Sequence, residues 1–228
     1  YRQRNFSYPM LKRAENIDKD RKNHTLYEAN PLLTRDGFYL DTLNWPSYQN
    51  TEVTYLPSGE SMFKSLLENL KKAEKYIFIE YFIIKKGALW NEILDILKER
   101  VQAGVEVKII YDDFGSFELP YRFKKDMANL GIEALNFNPM KPHLNFGMNY
   151  RDHRKIVVID SKIGYTGGMN IGDEYINLNQ ELGHWKDTGV MLEGEAVWSL
   201  ALIFLENYRF ITKKDIDYKQ YFYAHSVQ

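Results

Sequence analysis

The sequence predicts an α/β fold, in which helices pack on both faces of a mixed β-sheet to form an α/β/α sandwich. Runs of β-branched and aromatic residues alternate along the chain with segments whose apolar residues recur at helical spacing. Two of the apolar runs are so close in sequence that they form a hairpin or neighbouring strands, which makes the sheet mixed. The 228 residues are 44% hydrophobic and 15% aromatic, enough to bury the core of one sizeable domain.

The elements become distinct from about residue 53. A first helix starts at a serine and a glutamate, and its apolar face consists of Met62, Phe63, Leu66, Leu67 and Leu70. A second helix ends at Gly104, and its stripe consists of Leu89, Ile93, Ile96, Leu97 and Val101. Two more helices are predicted over 120–131 and 196–210. Strands are predicted over 76–84, 105–111, 132–137, 153–159, 162–167 and 187–192.

Three regions follow from this pattern. Residues 1–50 are polar and irregular and predict an N-terminal arm, either extended or a peripheral helix. Residues 51–212 contain the alternating strands and helices and therefore the domain. Residues 213–228 are typical of a linker-like tail.

Composition excludes several kinds of site. The formal charge is −1, so no general basic field attracts nucleic acid or anionic lipid, and phosphate chemistry requires a local site. The absence of cysteine excludes disulfides, thiolate nucleophiles and zinc–thiolate sites. A run of about 18 apolar residues, which a membrane-spanning helix needs, is not found in the sequence.

The most informative stretch is DHRKIVVIDSKIGYTGGMN, residues 152–170. Side chains two residues apart in a strand point to the same side, so His153 and Lys155 share a face and Arg154 points away. A histidine can attack phosphorus or transfer a proton, and a lysine can neutralise phosphate oxygens. The alternative for this part alone is an edge strand with an ordinary histidine.

A glycine turn follows the second strand of this stretch. Gly167 and Gly168 would allow backbone N–H groups to converge on an anion, and a helix starting after them would favour negative charge. The side-chain amide of Asn170 would donate to a phosphate oxygen. A Gly-Gly pair by itself more often makes an ordinary turn.

Taken together, these residues resemble the active-site motif of the phospholipase D superfamily. The spacing is His-x-Lys, four residues, Asp, six residues and Gly-Gly-x-Asn. The resemblance extends from about residue 53 to 210 and is similar to the first catalytic half of bacterial cardiolipin synthases. It rests also on the stretches LPSGESMFKSLLENLKKAEKYIFIEYFII, GVEVKIIYDDFGS and HWKDTG.

The resemblance implies an enzyme that transfers a phosphatidyl group between two phosphatidylglycerol molecules through a phosphohistidine, releasing glycerol. It needs no metal or other cofactor. The catalytic residues it implies are His153, Lys155, Asp160 and Asp187. The phosphate-binding residues it implies are Asn170, Gly167, Gly168 and Lys155.

For three carboxylates the sequence allows both a structural role and a role in the site. Asp160 follows a buried strand, a position that favours a structural role in tying the turn. Asp187 is similar to the family's acidic residue that orients the histidine, although it is also placed as an ordinary strand-end carboxylate. Glu80 is a charge within an apolar strand, so it either lines the site or forms a structural ion pair.

The chain has one such motif, whereas the family pairs two. His184 also has a lysine two residues later, Lys186, but the aspartate and the glycine turn are missing. The chain starts at Tyr1 rather than at a methionine, so we expect it to be one of two halves of a longer membrane-bound protein whose catalytic part is cytoplasmic. The expected partners are a phospholipid substrate, and either the second half or a second copy of this chain, with no nucleic acid.

Two alternative functions remain open. One is a single-motif phosphodiesterase or nuclease of the same superfamily, active as a homodimer. The other is a non-catalytic phosphate-binding module. A separate possibility, a metal site at Asp112 and Asp113, is less favoured than capping of a strand end, because no further oxygen ligands are spaced around them.

Overall fold

The structure is a computed structural model that describes residues 39, 48, 50–140, 150–181 and 183–223. Its described part contains one seven-stranded sheet in the order β1-β7-β6-β5-β2-β3-β4. The strands are β1 Thr51–Leu56, β2 Tyr76–Tyr81, β3 Glu106–Asp112, β4 Glu133–Phe137, β5 Lys155–Ile159, β6 Ile163–Gly167 and β7 Gly189–Gly194. Nearly all of the predicted arm, residues 1–50, lies outside the described residues.

The sheet is mixed, as predicted. Strands β2, β3 and β4 run parallel to one another. The pairs β2–β5, β5–β6, β6–β7 and β7–β1 are antiparallel, and β5 and β6 form the predicted hairpin. Since β2 and β5 are antiparallel with Tyr81 opposite Lys155, the end of β2 and the start of β5 lie at one edge of the sheet.

Helices cover both faces, which confirms the predicted layers. They are α1 Gly59–Leu70, α2 Ala88–Gln102, α3 Phe123–Asn129 and α4 Val197–Thr212. The first three pack on one face through residues such as Phe63, Trp90 and Phe123. The fourth packs on the other face, where Phe204 stacks on Phe78 with 4.4 Å between ring centroids.

Strand β2 shows how the sequence separates the two cores. Ile77, Ile79 and Tyr81 belong to the core under α1, α2 and α3. Tyr76 and Phe78 belong to the core under α4. Both sets are apolar because the strand is central, with β3 on one side and β5 on the other.

Several predicted elements differ from the observed ones. Helix α3 begins at Phe123 rather than at residue 120, because residues 113–122 form turns. The helix expected soon after the glycine pair is a four-residue 3₁₀ turn, Asp173–Ile176. The edge strand β1 is additional to the predicted strands.

The segment after α4, for which the sequence predicts a linker-like tail, packs on the domain as far as Phe222. A 3₁₀ turn spans Tyr218–Tyr221. The backbone oxygen of Tyr221 accepts a hydrogen bond from the Tyr76 hydroxyl at 2.6 Å. The rings of Phe222 and Trp198 meet edge to face at 5.2 Å. Among the described helices, none is long and apolar enough to cross a bilayer.

Candidate active site

His153 and Lys155 lie at the edge of the sheet where β5 begins. The imidazole is exposed, whereas Lys155 is 4% exposed because it is the first residue of a buried strand. The Lys155 ammonium lies 3.2 Å from Nδ1 of His153 and donates to the backbone oxygen of His153 at 2.8 Å. The predicted pairing of the two side chains is therefore present in the structure.

The ring of Phe82, just after β2, packs against both side chains. Its centroid lies 4.6 Å from the His153 ring and 5.5 Å from the Lys155 ammonium. An aromatic face attracts a cation and excludes water from one side of it. Phe82 thus packs beneath both side chains, a role that its place at the end of an apolar run did not indicate.

Burial acts on the charge of Lys155. It lowers the pKa of Lys155, while the nearby carboxylates of Asp152 and Asp187 act in the opposite direction. When Lys155 is protonated and the imidazole is neutral, the lysine can only donate, and its contact with Nδ1 then places the imidazole's proton on Nε2. In this arrangement the exposed histidine offers an N–H.

Asn170 is bound near the same edge of the sheet, by a hydrogen bond to the backbone just after β2. Its side-chain oxygen accepts from the N–H of Ile83 at 3.1 Å, and Ile83 follows the Phe82 that packs against His153. Its amide nitrogen donates to the Tyr175 hydroxyl at 3.0 Å. An amide nitrogen has two hydrogens, so a phosphate oxygen could take the second.

The glycine pair allows close packing against the segment before β7, and its predicted role in binding phosphate stays a prediction. The N–H of Gly168 donates to the backbone oxygen of Thr188 at 3.1 Å. A Cβ on Gly168 would lie 2.2 Å from a carboxylate oxygen of Asp187, and one on Gly167 would lie 2.6 Å from the Thr188 oxygen. The missing side chains let the segment before β7 approach the end of β6.

Asp187 is brought close to the motif by this packing. Its carboxylate accepts from the N–H of Thr188 at 2.7 Å and raises the pKa of Lys155 against the effect of burial. Asp187 therefore lies near enough to Lys155 to act on its pKa. Its role in orienting His153 remains a prediction.

Asp160 lies at the opposite end of β5. Its carboxylate accepts hydrogen bonds from the backbone N–H groups of Glu74, Lys75 and Tyr76, each at 2.8 Å. It is 3% exposed and has a positive φ of 55°. This geometry supports the structural interpretation, in which Asp160 ties the turn to the start of β2.

Tyr81 lies opposite Lys155 in the β2–β5 pair, so their side chains share a face of the sheet. Glu80 precedes Tyr81 in β2, and its side chain therefore points to the other face. It is fully buried and binds Arg154 and Asn207 at 3.3 and 3.1 Å. Of its two interpretations, these contacts favour the structural one, in which Glu80 is bound inside the protein by Arg154 and Asn207. Sequence reasoning missed Asn207, whose signal is a single amide within the apolar stripe of α4.

Asp112 and Asp113 bind backbone and side-chain groups, which confirms the capping interpretation. Asp112 accepts from the N–H groups of Phe114, Gly115 and Asp152 at 2.9–3.0 Å. Asp113 accepts from Asn136 and from the N–H of Met140. Among the described residues, no cluster of histidine and carboxylate side chains has the arrangement of a metal site.

Comparison with known families supports the predicted resemblance. A family model described as cardiolipin synthase, phospholipase D-like domain, matches residues 66–192. This range is more than half of the 228 residues. The chain belongs to this family. Within the phospholipase D-like domain, the match contains the whole stretch from His153 to Asn170 and also Asp187.

Curated relatives of this phospholipase D-like chain are longer than it is. An uncharacterized protein of Streptococcus mutans is 49% identical over 198 residues, which make up 86% of this chain and 41% of that protein. Cardiolipin synthase 2 of Bacillus cereus is 41% identical over 208 residues, 91% of this chain and 40% of that protein. The chain thus spans about two fifths of the length of these relatives.

Solved structures share the phospholipase D-like fold. NucT from Helicobacter pylori aligns with a TM-score of 0.54 at 16% identity, over 70% of this chain and 95% of that one. Phosphatidylserine synthase of Haemophilus influenzae aligns with a TM-score of 0.54 at 13% identity, over 74% of this chain and 41% of that one. At these identities the likeness is one of fold.

Proposed function

We propose that this chain is a catalytic half of a cardiolipin synthase-type phosphatidyltransferase. The observation that carries the proposal is the His153–Lys155 pair at the sheet edge of a chain in this family. An exposed imidazole beside a buried ammonium suits a phosphodiester, which needs a group that forms or breaks a bond to phosphorus and a positive charge for its oxygens.

The reaction has two steps that balance. In the first, a histidine nitrogen bonds to the phosphorus of one phosphatidylglycerol, and the bond from phosphorus to the glycerol oxygen breaks as that oxygen takes a proton. In the second, the free hydroxyl of another phosphatidylglycerol loses its proton and attacks phosphorus, and the phosphorus–nitrogen bond breaks. The products are glycerol and cardiolipin.

His153 fits two parts of this scheme. While Lys155 donates to Nδ1, the proton is on Nε2, and the imidazole is set to donate a hydrogen bond to the leaving oxygen. For nucleophilic attack Nε2 must hold a lone pair, so the ring proton must be on Nδ1 instead. The Lys155 ammonium must then leave Nδ1 and bind the phosphate oxygens. Asp187, which acts on the pKa of Lys155, would then accept a hydrogen bond from Nδ1–H of His153. Asn170 would supply a further donor to the phosphate.

The second set of catalytic groups comes from outside this copy of the motif. The chain contains one His-x-Lys triplet that is followed by the motif's aspartate and glycine pair, and it covers 40% of Cardiolipin synthase 2 of Bacillus cereus. We propose that its partner is a second catalytic half, that its substrate is phosphatidylglycerol, and that the reaction takes place at the cytoplasmic surface of the cell membrane.

A hybrid protein tests this proposal. This chain would replace the 208 aligned residues of Cardiolipin synthase 2 from Bacillus cereus, which supplies the rest of the protein. Given phosphatidylglycerol vesicles, the hybrid should release glycerol and form cardiolipin in equal amounts. Phosphatidic acid as the main product would show hydrolysis and would contradict the transferase assignment.

A homodimeric phosphodiesterase is the second candidate, favoured by the single complete motif in the sequence. A site built from two copies would make the rate per chain rise with concentration until the dimer is saturated. The chain alone, assayed from nanomolar to high micromolar concentration on phosphatidylglycerol and on single-stranded DNA, distinguishes this candidate. Cleavage of the DNA in preference to the lipid would favour it.

A further inference from the structure

Arg154 lies between His153 and Lys155 in sequence, but its side chain, which is 45% exposed, lies over the opposite face of the sheet and contacts buried carboxyl groups there. Its guanidinium contacts Glu80 at 3.3 Å and Asp152 at 3.6 Å. These contacts join the motif to the C-terminal end of β2, where Glu80 is fully buried. The residue that separates the two cationic groups is therefore tied to the core behind them.

Asn207 of α4 binds the two carboxyl groups of this set of side chains. Its amide nitrogen donates to Glu80 at 3.1 Å and to Asp152 at 2.7 Å, so it bridges the two carboxyl groups. Asn207 is 5% exposed and Asp152 is 4% exposed. We call Glu80, Asp152, Arg154 and Asn207 the rear cluster.

The charges of the rear cluster balance only when one carboxyl holds a proton. Glu80 and Asp152 contact one guanidinium, on which Glu206 also acts, and burial together with the neighbouring Asp152 raises the pKa of Glu80 well above its ordinary value. Among the described residues, no donor reaches Oε2 of Glu80, so a negative charge on this carboxyl would be poorly stabilised. Glu80 is then neutral, and Asp152 balances Arg154.

The backbone of the motif is held by the same residues. The N–H of Arg154 donates to the Asp152 carboxylate at 3.3 Å, and the N–H of Asp152 donates to Asp112 at 2.9 Å. Asp112 in turn binds the turn after β3. The peptide that presents His153 is thus fixed from its rear side by buried groups.

We propose that the rear cluster is a positioning device, in which Arg154, clamped by Asp152, Glu80 and Asn207, sets the direction of the His153 and Lys155 side chains on the other face. Arg154 is a positioning residue in this account, since it lies behind the reacting groups. The action of His153 and Lys155 on phosphate rests on the proposed function. The positioning of their side chains by the rear cluster does not depend on it.

Nuclear magnetic resonance of the histidine ring nitrogens tests the proposal in this chain, with His153 assigned by His153→Ala. The variants are Arg154→Lys, Glu80→Gln, and the double change Asp152→Asn with Arg154→Met, which removes a pair of opposite charges. Arg209→Lys is the matched control, because Arg209 pairs with Asp215 away from the motif. Folding is checked by circular dichroism, and the affinity for orthovanadate gives a second readout.

We expect Arg154→Lys and the double change to alter the His153 ring signals and to weaken orthovanadate binding by roughly tenfold or more, as small misplacements of catalytic groups do. Glu80→Gln should stay close to the original chain, because glutamine resembles a protonated glutamate. Arg209→Lys should change nothing.

Unchanged His153 signals in a folded Arg154→Lys or double variant would overturn the proposal. If Arg154→Lys fails to fold, the His153 ring signals of the charge-balanced double variant test the proposal instead. A Glu80→Gln chain as perturbed as Arg154→Lys would overturn the neutral state of Glu80. Failure of the original chain to bind orthovanadate would count against the proposed function, while the ring signals would still test the rear cluster.

Discussion

The ammonium of Lys155 lies 3.2 Å from Nδ1 of His153, at the edge of the sheet where β5 begins beside the end of β2. One residue is buried and the other is exposed. The contact therefore joins a charge held in the protein interior to a ring that a substrate can reach. Most of the expected behaviour of the site follows from this difference in burial.

Lys155→Met should reduce transfer activity strongly while changing the free energy of unfolding only a little. Burial disfavours the charged lysine and lowers its pKa, so an uncharged side chain of similar length removes a cost while losing the hydrogen bond to His153. We expect the free energy of unfolding, measured in urea, to change by about 1 kcal/mol or less. Transfer by the hybrid should fall by about 10²–10³-fold, as when a charge-stabilising donor is lost.

Lys162→Met is the control for that change. Lys162 lies in the same hairpin region but pairs with Glu74 at the surface. Transfer should be unaffected. A similar loss in both variants would mean that lysine substitution in this hairpin acts through folding.

Gly168→Ala should displace Asp187. The added Cβ would lie 2.2 Å from one carboxylate oxygen and 2.6 Å from the carboxylate carbon, so the side chain must move. If Asp187 orients the histidine, transfer should fall by about tenfold or more with a small change in melting temperature.

Gly172→Ala offers the comparison for Gly168→Ala. Its Cβ would meet the end of the Glu174 side chain at 2.7 Å, and a flexible glutamate can move away. Transfer should remain near that of the original hybrid. Equal effects at the two glycines would contradict a special role for Asp187.

Asp160→Ala should destabilise the domain. Three backbone N–H groups, of Glu74, Lys75 and Tyr76, would lose a charged acceptor. Each buried donor left without a partner costs about 1–3 kcal/mol, and partial rescue by water suggests a total of about 3–5 kcal/mol in urea unfolding. Asp160→Asn keeps one acceptor and tolerates the positive φ of 55°, so it should lose less. A stable but inactive Asp160→Ala chain would instead show a role in chemistry.

Stability should fall as pH rises towards neutrality. Burial raises the pKa of Glu206 from 4.5 to about 7, with Arg154 acting in the opposite direction. Between these values the folded chain binds more protons than the unfolded chain, so the stabilisation present below about pH 4.5 is lost as pH rises through 7. We expect Glu206→Gln to reduce this loss by about 1–2 kcal/mol, since partial exposure weakens the effect.

Urea unfolding at pH 5, 6, 7 and 8 checks the prediction for Glu206. Glu52→Gln, at an exposed position of β1, should leave the pH profile unchanged. A Glu206→Gln profile that runs parallel to the original would contradict the raised pKa. Glu80, whose pKa is also raised, would contribute a remaining slope of the same sign.

The central layers were predictable because burial imposes a clear pattern on the sequence. Strand β2 is buried along its whole length and reads as one apolar run, and α1 shows an apolar face behind the capping Ser58. Strand β1 was missed because it is an edge strand, with Val53 and Tyr55 more than 60% exposed, so its pattern lacks a buried face. Short-range rules succeed where one face is buried.

Side chains that meet across the sheet could not be predicted in the same way. The pairing of His153 with Lys155 follows from strand alternation, which is a local rule. The contacts of Arg154 with Glu80 and of Asn207 with Asp152 join residues 74 and 55 positions apart. They depend on the register of β2 against β5 and on the docking of α4, neither of which the spacing of residues in sequence gives.

The most direct test of the central claim compares two histidines in the hybrid. His153→Ala removes the proposed catalytic group, while His184→Ala removes the other histidine with a lysine two residues later, which lacks the rest of the motif. Cardiolipin formation from phosphatidylglycerol vesicles is the measurement. We predict a loss of about 10³-fold or more for His153→Ala and little change for His184→Ala. Cardiolipin formation that persists in His153→Ala would contradict the assignment of this site.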